Sequence, residues 1–373
     1  MRVNKSSSPC PMERVRTAVG DEAWRVTGYD LARRLLDDDR LGRSHPDPSS
    51  AARIGESALF GGPSGDHATE GEDHARLRAM LQPHFSPARV RALRPRVEEL
   101  TARLLDAMER DGPPADLHRA LALPLPLLVI CELLGVPYED RDRFRAWTEA
   151  AGDTTDNARS AQGLAALYAY GRELVGRKRR EPADDVISRL CAWPGADDDE
   201  IARRSMTLLF AGHETTVAQI GLGAALLLAD RGQWRALASD PGLVDGAVEE
   251  ILRAPTSSGA GIPRYARADF EVGGARVAAG DLVLLDTAAA NHDPAVFERP
   301  GDLDITRKAA GHLSFGHGAR YCVGAPLARL ELRAVFSGLA ARFPDLRLAV
   351  PADRLRLRTG SLTSGYVELP VTW

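Results

Sequence analysis

From position 315 to position 325 the chain reads Phe-Gly-His-Gly-Ala-Arg-Tyr-Cys-Val-Gly-Ala, and a helix-patterned run from Pro326 to Arg342 follows at once. No other stretch restricts the fold as much. A cysteine just before a helix start meets unpaired backbone N–H groups and the positive end of the helix dipole. Both favour thiolate over thiol. Gly316, Gly318 and Gly324 let the backbone turn sharply or approach something flat. Phe315 offers a ring to pack on it, and Arg320 a charge for an anionic group. Together these residues suit a thiolate bound to a metal in a large planar cofactor, which is haem. From this stretch alone, a buried structural cysteine and a catalytic nucleophile stay open.

A second stretch answers the first. Asp197 to Glu200 is an acidic helix start, and a helical pattern runs from it to about Arg231. Leu208, Ala211, Gly212 and Thr215 share one face of that helix. The small residues Ala211 and Gly212 are expected to leave room beside it. Glycine in a helix interior costs about 1 kcal/mol relative to alanine, so Gly212 implies a gain in packing or function. Glu214, Thr215 and Thr216 stand in otherwise apolar sequence. Thr215 can bond back to a carbonyl one turn earlier and bend the helix.

The motif F-x-x-G-x-R-x-C-x-G from Phe315 to Gly324 resembles the haem-binding loop of the cytochromes P450, and Ala211 to Thr216 resembles the same family's A-G-x-[DE]-T-T. His74 and Arg78 match its H-x-x-x-R, and Glu250 and Arg253 its E-x-x-R. Arg264 to Asp269 matches R-x-A-x-x-D, and Asn291 to Pro294 matches N-R-D-P with His292 in place of Arg. These matches run in the family's order over most of the chain. The resemblance implies a mainly α fold with small β-sheets, with haem b between the long central helix and the cysteine loop.

Cys322 would be the axial ligand, with the Gly324 N–H on its sulfur, Phe315 and Gly316 in the loop, and Ala211 and Gly212 on the opposite wall. His74, Arg78, Arg264, His312 and Arg320 would surround the propionates. Glu250 and Arg253 would join Arg299 in a structural triad. Glu214 and Thr215 would deliver protons to iron-bound dioxygen, which makes the protein a monooxygenase that hydroxylates or epoxidises a small organic substrate. The implied substrates are secondary-metabolite intermediates: polyketides, peptides or terpenoids. The alternatives are a peroxide-driven peroxygenase and a non-catalytic haem protein. Electrons would come from a separate ferredoxin and ferredoxin reductase, with Arg76, Arg329 and Arg333 as docking cations. The segments expected to face substrate are 43–71, 154–170, the long helix, 256–262 and 362–365.

The remaining sequence bounds this reading. The formal net charge is -4, which does not point to nucleic acid. Cys10, Cys131, Cys191 and Cys322 are not paired at metal-site spacing and form no disulfide framework, as expected of a cytoplasmic protein. Residues 1–16 carry no apolar signal core. The longest apolar run, Ala120 to Cys131, is broken by Pro124 and Pro126 and is too short for a bilayer. No composition break divides the chain, so one domain over residues 1–373 is expected, as a monomer.

Overall fold

The fold is organised round one helix, Asp198–Ala229. In this computed structural model residues 11–255 and 261–373 are described, so Cys10 and positions 256–260 of the expected substrate segment lie outside them. The Asp197 carboxylate accepts the Glu200 N–H at 2.6 Å, and three further acidic residues occupy the first turn. Ile201, Leu209, Val217, Ile220 and Leu227 are buried at different points round its circumference. Its one exposed stripe runs through Arg203, Thr207, Ala211 and Thr215. The helix packs against helices Asn157–Arg180, Pro124–Leu134, Val244–Arg253 and Ala325–Arg342. Each fully buried Leu or Ile contributes about 1.5–3 kcal/mol.

The strands are short. A five-stranded sheet runs in the order Met12–Arg16, Glu22–Val26, Leu282–Leu285, Ile262–Ala266 and Leu41–Gly42. Its one parallel pair sets Trp24 opposite Val283. All of Leu282–Leu285 is buried, as an inner strand requires. Phe270–Val272 and Ala275–Val277 form the hairpin expected from Gly273-Gly274. Among the described residues no helix is long and apolar enough to cross a membrane.

Three short helices absent from the sequence reading, Val186–Cys191, Arg231–Ser239 and Thr287–Ala290, are capped by Asp185, Asp230 and Asp286. Those aspartates were the available signal. The strand Met12–Arg16 also went unread, because only Met12 in it is buried.

One structural expectation is corrected. Glu250 and Arg253 do form a pair with no exposed surface, through contacts of 2.8 and 2.7 Å. The third member is Arg307, not Arg299. Arg307 Nε donates to Glu250 Oε1 at 3.1 Å. Arg299 has φ of 45° and sends a largely exposed side chain toward Asp302. The chain turns back after Arg299, and the Asp304 N–H also reaches Glu250 Oε1, at 3.0 Å. That turn delivers position 307 to the carboxylate.

Candidate active site

The cysteine loop is shaped by its glycines. Gly316 and Gly318 have φ of 73° and 69°, which disfavour a side chain. At Gly318 a Cβ would also run into the Asp37 side chain, which accepts the Ala319 N–H at 3.0 Å. The Cys322 N–H donates to the Phe315 carbonyl at 2.9 Å and closes the loop. Helix Ala325–Arg342 begins immediately after Gly324. The backbone amides of Gly324 and Ala325 lie on the thiol's side and favour its thiolate.

Those amides do not prevail in the protein alone. Burial pushes the Cys322 thiol up, and the two amides, Arg78 and Arg329 only partly offset it. The residue nevertheless counts as exposed, because its sulfur faces an interior cavity. A thiol enclosed by protein yet open to a cavity suits a metal cation, which would supply the missing positive charge.

That cavity holds ≈ 490 Å³. Phe315, Gly316, Arg320 and Cys322 line one wall, and Thr215 and Thr216 the facing one. Ala211, one turn before Thr215, is exposed on the same helix face. Thr215 Oγ1 donates to the Ala211 carbonyl at 2.9 Å. Gly212 does not face the cavity. A Cβ there would meet Ile130 Cδ1 at 2.6 Å, so this glycine lets helix Pro124–Leu134 approach the central helix.

Cations crowd the cavity edge. Arg264 is 5% exposed, and burial together with Arg43 and Arg320 pushes it down to about 9. Burial and Arg320 also push Arg43 down. Burial, Arg320 and Arg78 do the same to His74. Arg78 Nη1 donates to the Tyr321 carbonyl at 2.8 Å, beside the cysteine. One carboxylate sits among them. Burial raises Glu70, but the Ser44 hydroxyl, the amides of Arg43 and Ser44, and Arg320 pull it down to about 2. Glu70 Oε1 accepts from Arg320 at 2.5 Å, and Oε2 from Arg267 at 3.2 Å. Cations that strain against one another away from water fit a ligand carrying carboxylates. Arg43 and Glu70 escaped the sequence reading. Arg43 opens the long Gly- and Ser-rich loop directly after strand Leu41–Gly42, and that placement was the only signal.

His312 is buried beside Phe315: its Nδ1 accepts the Ser314 N–H at 3.2 Å, and its Nε2 lies 3.3 Å from Glu249 without a hydrogen bond, a buried donor open to a ligand. The expected docking cations are paired: Arg76 with Glu200, Arg329 with Glu249 and Arg333 with Asp245.

Glu214 lines a separate recess with Arg358, Asp153 and Ser361. Its Oε1 lies 3.1 Å from His213 Nε2, while Oε2 accepts from Thr363 Oγ1 at 3.2 Å and lies 3.8 Å from Arg358. Burial pushes this carboxyl up, but His213, Arg358 and Thr363 outweigh it and hold it below the ordinary carboxylate range.

A thiol and a threonine facing each other across a cation-rimmed cavity, inside a helical fold with small sheets, define a haem–thiolate architecture. The chain belongs to the cytochrome P450 family. The family model for cytochrome P450 matches residues 233–344. Pentalenolactone synthase of Streptomyces exfoliatus is 43% identical, covering 97% of this chain and 93% of that protein. Nocardicin C N-oxygenase of Nocardia uniformis subsp. tsuyamanensis is 42% identical, covering 97% and 92%. Among solved structures, the substrate-free pimaricin epoxidase PimD matches with a TM-score of 0.87 at 40% identity, covering 97% of this chain and 93% of that one.

Proposed function

We propose that residues 1–373 form a single-domain P450 monooxygenase that hydroxylates or epoxidises an intermediate of secondary metabolism, with haem b as its cofactor. One observation carries this reading: Cys322 and Thr215 face each other across a cavity rimmed by Arg43, Arg264 and Arg320. Haem bound there supplies dioxygen activation, helped by electron donation from the thiolate.

The chain's own residues divide the remaining work. Cys322 holds the metal, with the Gly324 and Ala325 amides limiting how much charge its sulfur donates. Arg264, Arg320, His74, Arg78 and the added Arg43 hold the propionates. Phe315 and Gly316 shape the loop wall, and Ala211 leaves space opposite. The Thr215 hydroxyl exchanges its bond to the Ala211 carbonyl for one into the cavity. Glu214 takes protons on its recess side and passes them toward Thr215 through water. Gly212 leaves the cofactor list on its geometry, while the unpartnered Nε2 keeps His312 on it.

The relatives support the substrate class by their names, which include a mycinamicin IV hydroxylase/epoxidase 39% identical to this chain. Electrons would come from a ferredoxin and its reductase, in the cytoplasm, to a monomeric enzyme. The test begins with the absorbance of the reduced, CO-bound protein, which must show the thiolate-ligated form. Turnover of a candidate terpenoid or macrolide under ¹⁸O₂, with ferredoxin and reductase, must then place one labelled atom in the product. Turnover on peroxide alone, indifferent to the ferredoxin, would replace this reading with a peroxygenase.

A further inference from the structure

Behind Phe315, on the side away from the cavity, lies a charged cluster that the mechanism above does not use. The Arg329 guanidinium sits 4.6 Å from the Phe315 ring centroid, at cation–π distance. Its Nη1 donates to Tyr321 Oη at 3.0 Å. Its Nε and Nη2 donate to the two Glu249 oxygens at 2.6 and 2.9 Å, a fork-on-fork pair. Glu249 Oε2 also faces His312 Nε2 at 3.3 Å. Because His312 Nδ1 accepts the Ser314 N–H, the ring proton is on Nε2, which lies near Glu249 without a hydrogen bond to it.

Three elements meet here: helix Val244–Arg253 through Glu249, the cysteine loop through Phe315 and Tyr321, and helix Ala325–Arg342 through Arg329. Phe315 and Tyr321 are the residues on either side of the loop that presents Cys322, and Arg329 holds both. Its charge is also felt at the sulfur.

We infer that Arg329 is a positioning residue for the thiolate, with Glu249 fixing it, and that this pair sets the electrostatic potential at Cys322 from behind the loop. The inference rests on the haem–thiolate reading of the same cavity. A cation near the sulfur stabilises the more negatively charged, reduced form of a metal–thiolate site, and an anion destabilises it. Removing Arg329 and neutralising Glu249 should therefore act in opposite directions. Loosening of the loop would move both the same way, so the sign separates the two explanations.

The experiment measures the reduction potential and the CO-complex spectrum of the purified holoenzyme and three variants. Arg329→Leu should shift the potential negative and convert part of the CO complex to the protonated-thiol form. Arg329→Lys should recover most of the potential but less of the thiolate-type band, because Lys keeps the charge and loses the fork. Glu249→Gln should shift the potential positive with the band retained. Shifts of one sign in Arg329→Leu and Glu249→Gln, or none in either, overturn the inference. If Arg329→Leu fails to fold, Arg329→Gln takes its place, and its shift must again be opposite in sign to that of Glu249→Gln. Absence of a thiolate-type band in the unsubstituted enzyme would instead overturn the haem–thiolate reading itself.

Discussion

The two walls of the cavity are built in different ways. The cysteine wall is built mainly within one run, where Gly316 and Gly318 turn the loop and the Cys322 N–H closes it on Phe315, with Asp37 and Arg78 pinning it from outside. The helix wall is assembled at long range. Glu214 is held from the far side by Thr363 and Arg358, which belong to the C-terminal segment. Thr215 is tied up with its own helix. One wall is therefore set by its own backbone turns, while the other must exchange bonds to act. That division suits a site that keeps a metal fixed while protons move past it.

Substitutions that break the fixed wall should have the largest effects. Cys322→Ser should abolish the thiolate-type CO spectrum and reduce product to background in the assay above. Next comes the buried pair supporting that wall from helix Val244–Arg253. Glu250→Ala leaves Arg253 and Arg307 facing an empty place, and Arg253 has no exposed surface. Breaking such a pair costs about 3–5 kcal/mol, so denaturant unfolding should find little stable protein. Arg299→Ala should leave stability nearly unchanged, which separates Arg307 from the residue the motif first pointed to.

The exchanging wall should respond in kinetics more than in stability. Thr215→Ala should leave the fold and CO spectrum intact while product formation falls on the order of 10²-fold, the range of a lost proton-transfer group. Reducing equivalents should then appear as peroxide. Glu214 allows a pH test. Its folded carboxyl is held low, so the stability it contributes is present above the ordinary carboxylate range and is lost as pH falls through its folded value. The stability difference between the native protein and Glu214→Gln should hold at neutral pH and shrink only on strong acidification.

What the sequence revealed follows the same division. The cysteine wall lies in one contiguous run, so its residues could be read together. The helix face was legible by period, since Ala211 and Thr215 are four apart and both are exposed. What stayed hidden was aim. In a loop with two residues at positive φ, nothing in the letters tells that Arg320 turns to the cavity edge. Arg43 is one arginine among many until strand Leu41–Gly42 places it. Arg299 and Arg307 differ only by a turn whose course the motif does not specify.

Gly212 shows the limit most sharply, and it gives the smallest prediction. A small residue next to Ala211 reads equally as room for a ligand or room for a neighbouring helix. The geometry favours the neighbour: a Cβ would lie 2.6 Å from Ile130 Cδ1 and 2.9 Å from its Cγ1. Gly212→Ala gains about 1 kcal/mol of helix propensity and loses about 1–3 kcal/mol to overpacking. Because the clash is with the end of a flexible side chain, the net should be roughly 1 kcal/mol of destabilisation. Adding Ile130→Val removes the nearest atom, so the double variant should be more stable than the sum of the singles by about 0.5–1 kcal/mol. Haem content and coupling should not change in either protein. If Gly212→Ala instead altered coupling and showed no interaction with Ile130, the small residue would belong to the cavity after all, and the exchanging wall would extend a residue further round the helix.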